Sequence, residues 1–388
     1  MWIIMNKLLS LYNLLEQVTR MKQPLRVLYD YQTFHIQRFG GISRYFHEIM
    51  NCMPGAKPKI AIRYSMNQYI RDKKLSRHTY VPKRLFKVME GVFRSLNRSR
   101  SVKALRGGDF DLFHPTYYHP YFLESIGNKP FVLTIHDMTH ERFPQYFSPT
   151  DPTPGHKRVL AKKATRIIAI SECTKRDVME FLHVSEDKID VIYHGLTPQT
   201  LAVGRPEGLP AHYILYVGER RGYKNFELVV KAFTRIAQQH PSLHLVLTGR
   251  PLSKGEQEMF RQAGLVERVK VMSDISDLVL AQLYRNASLF VYPSLYEGFG
   301  IPILEAFAQE CPVVLSRASC FPEVAGDAAE YFEPTELDSL VIALNRVLTD
   351  EARCTELIRR GKERLSRFTW EETAQQTEKT YKMALLSS

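Results

Sequence analysis

Two glutamates, Glu297 and Glu305, stand in one segment with seven residues between them. The apolar run from Leu289 to Tyr292 precedes them and predicts a buried strand. A loop with two glycines follows, and Pro302 then predicts the first position of a helix, where the missing N–H of proline costs nothing. Backbone N–H groups at the start of a helix bind anions readily. The segment therefore predicts two carboxylates that face one crevice beside an anion site.

These features together indicate the chemistry of the ligand. Backbone amides at a helix start favour a phosphate, whereas carboxylates repel it. Carboxylates instead accept hydrogen bonds from neighbouring hydroxyls, such as those of a ribose or a hexose. A molecule in which a sugar, a diphosphate and a ribose follow one another satisfies all of these groups. The predicted ligand is a nucleotide-activated sugar.

The same segment, Tyr-Glu-Gly-Phe-Gly-Ile-Pro-Ile-Leu-Glu-Ala, resembles the donor motif of the retaining glycosyltransferases of family 4. The resemblance covers nearly the whole chain from Leu25 onward. It is also specific at Phe-Gly-Gly-Ile-Ser-Arg-Tyr, which contains Gly40 and Gly41, and at Gly-Tyr-Lys-Asn, which contains Lys224. It implies an α/β protein with the GT-B fold, in which two Rossmann-like domains with parallel sheets face each other across a cleft. A C-terminal helix would cross back to the first domain.

The resemblance also implies a role for particular residues. His136, at the end of a predicted strand, would contact the donor sugar, and Glu305 would hold the ribose hydroxyls. Glu297 would hold sugar hydroxyls and favour positive charge at the anomeric carbon. The implied catalytic residues are His136, Glu297, Arg220 and Lys224. The implied donor-binding residues are Gly40, Gly41, Arg220, Lys224, Glu297, Gly298, Phe299, Gly300, Ile301 and Glu305.

Two neighbouring arginines, Arg220 and Arg221, are candidates for binding the diphosphate. Arginine supplies a planar fork and lysine a point charge, a combination suited to a diphosphate. The family commonly has an arginine directly after the loop glycine, where this chain has Glu219. Arg220 resembles the arginine of a subset of the family, so we expect Arg220 rather than Arg221 to bind, together with Lys224.

Short apolar runs alternate with helical patterns along the whole chain, which predicts parallel sheets covered by helices. Prolines and glycines with few apolar residues between them predict a linker near residue 205. We expect a leader at 1–20, an acceptor-binding domain at 21–200, a linker at 201–211, a donor-binding domain at 212–368 and a crossover helix at 369–388.

Composition restricts the class of protein. Among 388 residues, 44% are hydrophobic and 24% are charged, which is typical of a globular protein. The five cysteines are odd in number and lack paired spacing, so we expect reduced thiols in a cytoplasmic protein. No apolar run is long enough to span a bilayer. The leader is either an amphipathic helix at a membrane surface or a poorly ordered segment.

The net charge of +12 is concentrated between Arg71 and Arg106, where twelve basic residues face two acidic ones. Apolar residues recur there at helical spacing, among them Phe86, Val92 and Phe93. This pattern is typical of a helix attracted to an anionic membrane surface, and equally of a solvated surface helix. Nucleic acid is not an expected partner, because no recognised binding motif accompanies the charge.

We therefore expect a retaining hexosyltransferase that needs no metal and no cofactor beyond its donor. Arginine, lysine and helix amides would stabilise the departing diphosphate in place of a magnesium ion. The company that the family keeps suggests a lipid-linked glycan acceptor, bacterial surface polysaccharide as the product, and a position at the inner face of the plasma membrane. The alternatives are a non-catalytic nucleotide-sugar or lipid-binding protein, or a GT-B epimerase or synthase. The base and the sugar of the donor stay open.

Overall fold

The computed structural model describes residues 24–197 and 199–387. The predicted leader at 1–20 lies outside the described residues. In the first half of the chain, the strands are β1 (Leu25–Tyr29), β2 (Ala56–Ile60), β3 (Tyr64–Ser65), β4 (Thr79–Tyr80), β5 (Leu112–His114), β6 (Val132–Ile135), β7 (Arg166–Ala169) and β8 (Ile189–Val191). The helices are α1 (Gln32–Ile36), α2 (Gly41–Cys52), α3 (Lys83–Val88), α4 (Glu90–Gly107), α5 (Thr139–Arg142), α6 (Thr153–Lys163) and α7 (Glu172–Leu182).

The first half forms a parallel sheet whose strands are buried between helices. Strands β2, β1 and β5 pair in that order, and β6, β7 and β8 pair in that order. A parallel bridge between Phe113 and Phe131 joins the two groups of three strands. All pairs are parallel, so the carboxyl ends of the strands meet at one edge. Strands β3 and β4 form a separate small sheet.

The second half repeats this architecture. Its strands are β9 (His212–Tyr216), β10 (Leu243–Thr248), β11 (Val269–Met272), β12 (Leu289–Tyr292), β13 (Val313–Ser316) and β14 (Glu330–Phe332). Its helices are α8 (Phe226–Gln239), α9 (Lys254–Gln262), α10 (Asp277–Asn286), α11 (Ile301–Ala308), α12 (Phe321–Ala325), α13 (Leu337–Thr349), α14 (Glu351–Leu365) and α15 (Trp370–Leu386). The strand order β11-β10-β9-β12-β13-β14 places the first strand in the middle of a doubly wound sheet.

The expected two-domain architecture with parallel sheets is confirmed, while several element ends differ from prediction. Apolar residues in the sequence predict a strand at residues 59–62 and a helix from Ser43. In the structure the strand is β2, which begins at Ala56, because Ala56 and Pro58 alternate with the exposed lysines and give little apolar signal. The helix begins at Gly41. Helix α11 begins at Ile301, so Pro302 is its second residue. The domain boundaries stay predictions.

The C-terminal helix α15 returns to the first domain, as expected. The hydroxyl of Tyr381 lies 2.8 Å from the hydroxyl of Tyr29 and 2.6 Å from Nδ1 of His114. At the start of the helix, Trp370 is buried and its backbone lies so close to Gly195 that a Cβ on this glycine would approach it to 2.3 Å. The crossover therefore fixes the end of the chain to the first sheet.

The basic segment forms two helices instead of one. Helices α3 and α4 meet at Met89, and their buried residues include Phe86 and Phe93. The outward apolar residues, with their exposed fractions, are Leu85 (51%), Val88 (85%), Met89 (37%) and Val92 (52%). Among the described residues, no helix is both long and apolar enough to cross a membrane.

Candidate functional site

The loop that carries the two glycines, residues 293–300, packs directly on the first domain. A Cβ atom at Gly298 would lie 1.9 Å from the carbonyl oxygen of His136, which follows β6. Only a glycine allows this approach, because the obstructing atom belongs to the backbone. The predicted donor loop and the predicted sugar-binding histidine are therefore neighbours across the two domains.

Side chains at the start of α7 hold this loop in place. Ser171 Oγ donates to the carbonyl oxygen of Gly298 at 2.7 Å, and Thr174 Oγ1 donates to the same oxygen at 3.3 Å. The hydroxyl of Tyr296 donates to a carboxylate oxygen of Asp177 at 2.5 Å. These contacts satisfy buried polar groups on both sides of the cleft.

A second contact joins the same helix to the other domain. The carboxylate of Glu323 accepts from the backbone N–H groups of Glu172 and Cys173, at 2.6 and 3.2 Å. These are the first residues of α7, where a helix favours negative charge. No pattern in the sequence indicates that Glu323, which lies in the second domain, caps a helix of the first.

Glu297 and Lys224 form an ion pair in the half-buried interior of the site. Lys224 Nζ lies 2.6 Å from Glu297 Oε1, and Ser294 Oγ donates to the same oxygen at 2.7 Å. Burial alone would lower the pKa of Lys224, but the neighbouring carboxylate outweighs this effect and raises the pKa above its ordinary value. The lysine is therefore held as a cation beside the glutamate, as a ligand with both phosphate and hydroxyl groups requires.

Arg220 occupies a different environment from that of Lys224. Its guanidinium is buried, with Nε donating to Glu256 at 3.0 Å and Nη1 donating to the carbonyl oxygen of Thr248 at 2.9 Å. Its Nη2 donates to the carbonyl oxygens of two residues in the loop after β10. The side chain of Arg221 is 81% exposed. In this arrangement Arg220 braces the loop between β10 and α9, and its predicted contact with a diphosphate stays a prediction.

Glu305 lies in α11 and faces α2 of the first domain. Arg44 Nη1 is 4.0 Å from Glu305 Oε1, and the hydroxyl of Tyr284 donates to Glu305 at 3.4 Å. Burial raises the pKa of Glu305 above its ordinary value, while Arg44 and Tyr284 act in the opposite direction and Asp277 adds to the rise. The predicted ribose-binding carboxylate is thus paired only loosely.

Arg44 was not among the residues predicted from the sequence. It stands three residues after Gly41, in the first turn of α2, and also donates to Thr197 Oγ1 at 3.3 Å. The signal was present, because a residue in the first turn of a helix that begins at the ligand edge of a sheet can reach the crevice.

His136 is buried, and its Nε2 has no hydrogen-bond partner among the described residues. Burial lowers its pKa to about 4, so the imidazole is neutral at physiological pH. The ring of His194 lies 6.1 Å away, stacked between Tyr45 at 4.9 Å and Phe299 at 5.1 Å, and neither of its nitrogens has a partner in the described part of the chain. Such buried nitrogens beside the donor loop suit a polar ligand, and His194, like His136, follows a strand of the first sheet.

The glycines of the two loops have different roles. Gly300 adopts φ 93°, a left-handed conformation that favours glycine, and it caps α11. The sequence predicts free amides at the start of this helix, that of Ile303 among them. In the structure the amide of Ile303 donates to the carbonyl oxygen of Gly300 at 2.9 Å, so the predicted anion site is left with the amides before it, including that of Ile301. A Cβ on Gly41 would meet nothing within 4 Å, whereas one on Gly40 would meet only the flexible end of Gln37. The first pair thus borders open space.

Three further polar side chains of the first domain have partners within the protein. His114 is hydrogen-bonded to Tyr381 and to Thr134, and His140 lies 3.4 Å from Asp151. Asp137 accepts from the amide of Thr139, the first residue of α5, at 3.0 Å. All five cysteines are free thiols, as predicted.

Within residues 24–197 and 199–387, no group of three or more histidines, cysteines, aspartates or glutamates is arranged to hold a metal ion. Lys224 and the start of α11 supply positive charge at the described site.

Comparison with known families assigns both halves of the chain. Residues 39–200 match the family described as Glycosyltransferase Family 4. Residues 206–364 match the family described as Glycosyl transferases group 1. The two matches follow each other along the chain and fall on the first and the second sheet.

Two curated relatives are similar over most of their length. The O-antigen chain mannosyltransferase B of Escherichia coli is 28% identical over 311 residues, covering 75% of this chain and 79% of that protein. The MMP alpha-(1->4)-mannosyltransferase of Mycolicibacterium hassiacum is 28% identical over 308 residues, covering 74% of each.

A solved structure shares the fold. The crystal structure of Anabaena HepE in complex with UDP and glucose matches with a TM-score of 0.70 at 18% identity, covering 92% of this chain and 99% of that one. At this level of identity the match supports the architecture alone.

We expect Gly298→Ala to weaken the contact between the two domains, because its Cβ would overlap the carbonyl oxygen of His136. The midpoint of thermal unfolding should fall by several degrees, roughly the effect of a loss of 1–3 kcal/mol. Gly155→Ala, in α6, is the matched control, because a Cβ there meets nothing within 4 Å. An unchanged midpoint in both variants would show that the loop does not depend on this approach.

Proposed function

Because the chain belongs to the glycosyltransferases of family 4 and has the GT-B fold, we propose that it transfers a mannosyl residue from a nucleoside-diphosphate donor to a hydroxyl of a growing surface glycan. Mannose is proposed because both curated relatives described above are mannosyltransferases. The proposed acceptor is lipid-linked, and the proposed stereochemical outcome is retention.

The ion pair of Lys224 and Glu297 is the observation that carries this proposal. A cation and a carboxylate whose atoms lie 2.6 Å apart offer a point at which a diphosphate ends and a sugar begins. The lysine then binds the diphosphate, and the carboxylate accepts from sugar hydroxyls. The unpartnered Nε2 of His136 lies on the other side of the donor loop and is proposed to contact the sugar.

Charge develops on the departing diphosphate during the reaction, and fixed positive groups stabilise it. Lys224 and the start of α11 are already in place, so little reorganisation is required at the moment of reaction. Glu297 favours the positive charge at the anomeric carbon. We propose that the acceptor hydroxyl attacks from the face that the diphosphate leaves, and that the leaving phosphate takes its proton. Arg220 would join the diphosphate only if it left Glu256.

We further propose that transfer proceeds without a metal or an added cofactor. In support, Lys224 and the start of α11 supply fixed positive charge beside the donor loop. Turnover that persists in excess chelator is the expected result, and dependence of the rate on added Mg²⁺ would contradict this part of the proposal.

Glu305→Gln tests the donor site. We expect donor affinity to fall by about 1.5–3 kcal/mol, the value of a charged hydrogen bond, because the amide accepts from ribose hydroxyls less strongly than the carboxylate. The measurement is thermal-shift binding with UDP-, GDP-, ADP- and dTDP-sugars without metal, which also identifies the base.

The control is Glu227→Gln, an exposed glutamate in the first turn of α8. Equal affinity in the wild type and in Glu305→Gln would contradict the ribose assignment. Binding without any transfer to glycan acceptors would instead favour a non-catalytic binding protein.

Arg44→Gln tests whether the first domain maintains the charge of Glu305. The raised pKa of Glu305 means that donor affinity should fall on acidification through a pKa above the ordinary value for glutamate. Removal of the Arg44 cation raises this pKa further, so the acid limb of donor affinity should move to higher pH while affinity at alkaline pH is retained.

The charged and titratable groups around Glu305 also include Asp277 and Tyr284, which are unchanged in this variant. Arg44→Lys keeps the positive charge and should therefore return the acid limb of donor affinity to lower pH. A loss of affinity that is independent of pH would instead indicate a purely structural role for Arg44.

We propose that the apolar surface formed by Leu85, Val88, Met89 and Val92 docks the first domain on an anionic bilayer, as in a peripheral enzyme at the inner face of a plasma membrane. These residues are exposed at the junction of α3 and α4, flanked by Lys83, Arg84 and Lys87. Apolar residues that enter the headgroup region beside cations are typical of interfacial helices.

Val88→Ser with Val92→Ser should lower partition into vesicles that contain phosphatidylglycerol by about tenfold, because two apolar side chains lose their burial in the lipid. Sedimentation with vesicles measures this change. Ile342→Ser, at an exposed residue of the second domain, should leave partition unchanged. Equal partition of all three proteins would indicate a solvated face.

A further inference from the structure

A groove of about 560 Å³ lies along the outer edge of the first sheet, beside the edge strand β2. Its lining includes Lys57 and Lys59 of β2, Lys73 and Arg77 of the loop between β3 and β4, and Arg100 of α4. Cations from three separate segments of the chain thus line one groove. Neither the predicted donor site nor the proposed membrane surface contains these residues.

Two further cations of the lining are already neutralised. Arg26 donates to Asp109 at 2.7 Å and to Asp111 at 2.6 Å. Lys74 lies 3.8 Å from a carboxylate oxygen of Asp72. These pairs use the acidic groups near the groove.

The other five cations form no ion pair within the part of the chain that the structure describes. Like charges that line one concavity repel each other, and the concave surface concentrates their field. A bound anion removes this repulsion, and an anion with several negative oxygens can contact more than one cation. The volume fits a ligand of small-molecule size.

The cations of this groove are far apart in the sequence, and the fold brings them together. Lys57 and Lys59 point outward together because alternate residues of a strand share a face. The amide of Ile60 donates to the carbonyl oxygen of Leu75 at 3.2 Å, which ties the loop to β2 and sets Lys73 and Arg77 opposite the strand. The positions of the cations are therefore coupled through the backbone.

We propose that this groove is an anion-binding site for a phosphate-bearing ligand, separate from the donor cleft. The donor cleft lies at the carboxyl ends of the strands and takes its lysine from the second domain, whereas the groove runs along β2 at the side of the first sheet. Arg100 follows Val92 by eight residues on α4, roughly 12 Å along the helix axis. A lipid headgroup and a soluble phosphate compound present the same chemistry to it.

The test compares two variants that each lose two positive charges. Lys59→Gln with Arg77→Gln removes groove cations, and Lys103→Gln with Arg106→Gln removes exposed cations of α4 outside the groove. Titration calorimetry with inorganic pyrophosphate measures binding and the number of sites on the full chain. We expect the groove variant to lose one site or to bind at that site about tenfold more weakly, and the control to match the wild type.

Vesicles of phosphatidylcholine with phosphatidylglycerol distinguish the source of the ligand. If the groove variant also loses vesicle binding relative to the control, and pyrophosphate displaces the wild type from vesicles, the ligand is a lipid headgroup. If vesicle binding is equal in both variants while the pyrophosphate site is lost only from the groove variant, the ligand is a soluble phosphate compound.

The proposal is overturned if both variants retain every pyrophosphate site, or if both lose affinity equally, since this would reflect overall charge. Pyrophosphate bound in the donor cleft remains in the groove variant and is competed by a nucleoside diphosphate. Failure of the proposed glycosyl transfer would therefore leave this result unaffected.

Discussion

The close approach of Gly298 to the carbonyl oxygen of His136 is the constraint from which the arrangement of the two domains follows. A side chain at this position would separate the donor loop from the first sheet. Because the backbones touch, the carbonyl of Gly298 is buried and needs donors, which Ser171 and Thr174 supply from the start of α7. Glu323 then caps the same helix from the second domain. The carbonyl of Gly298 and the first amides of α7 thus each find a partner in the other domain.

The electrostatics of the site depend on this closure. Lys224 and Glu297 are held together in a poorly solvated interior, where the pair is stronger than it would be in water. Glu305 lacks such a close partner and relies on Arg44, which reaches it from the other domain. The two carboxylates of one motif thus have different cationic partners. Glu297 pairs with a lysine of its own domain, and Glu305 with an arginine across the cleft.

Local patterns were sufficient to predict most of the fold. Buried strands such as β12 and β13 coincide with continuous apolar runs, and the loop between β12 and α11 was evident from its glycines and proline. Contacts between distant segments were not predictable in this way. Residue spacing does not contain the geometry of three such contacts: the burial of Arg220 against Glu256, the approach of Arg44 to Glu305, and the hydrogen bond donated by the amide of Ile303. The start of β2 was not predicted because Ala56 and Pro58 give little apolar signal.

The distribution of charge separates two tasks within one chain. Half-buried ion pairs in the cleft keep opposite charges close, as required for a ligand that carries both phosphate and hydroxyl groups. The first domain instead presents cations that form no ion pair with another described residue, both in the groove beside β2 and at Lys83, Arg84 and Lys87 of α3. Unpaired surface cations act over a Debye length and attract any anionic surface or solute, while paired ones do not. Helix α15 ties the end of the chain to the first sheet through Tyr381, so the sheet that presents these cations is anchored to the domain that carries the donor loop.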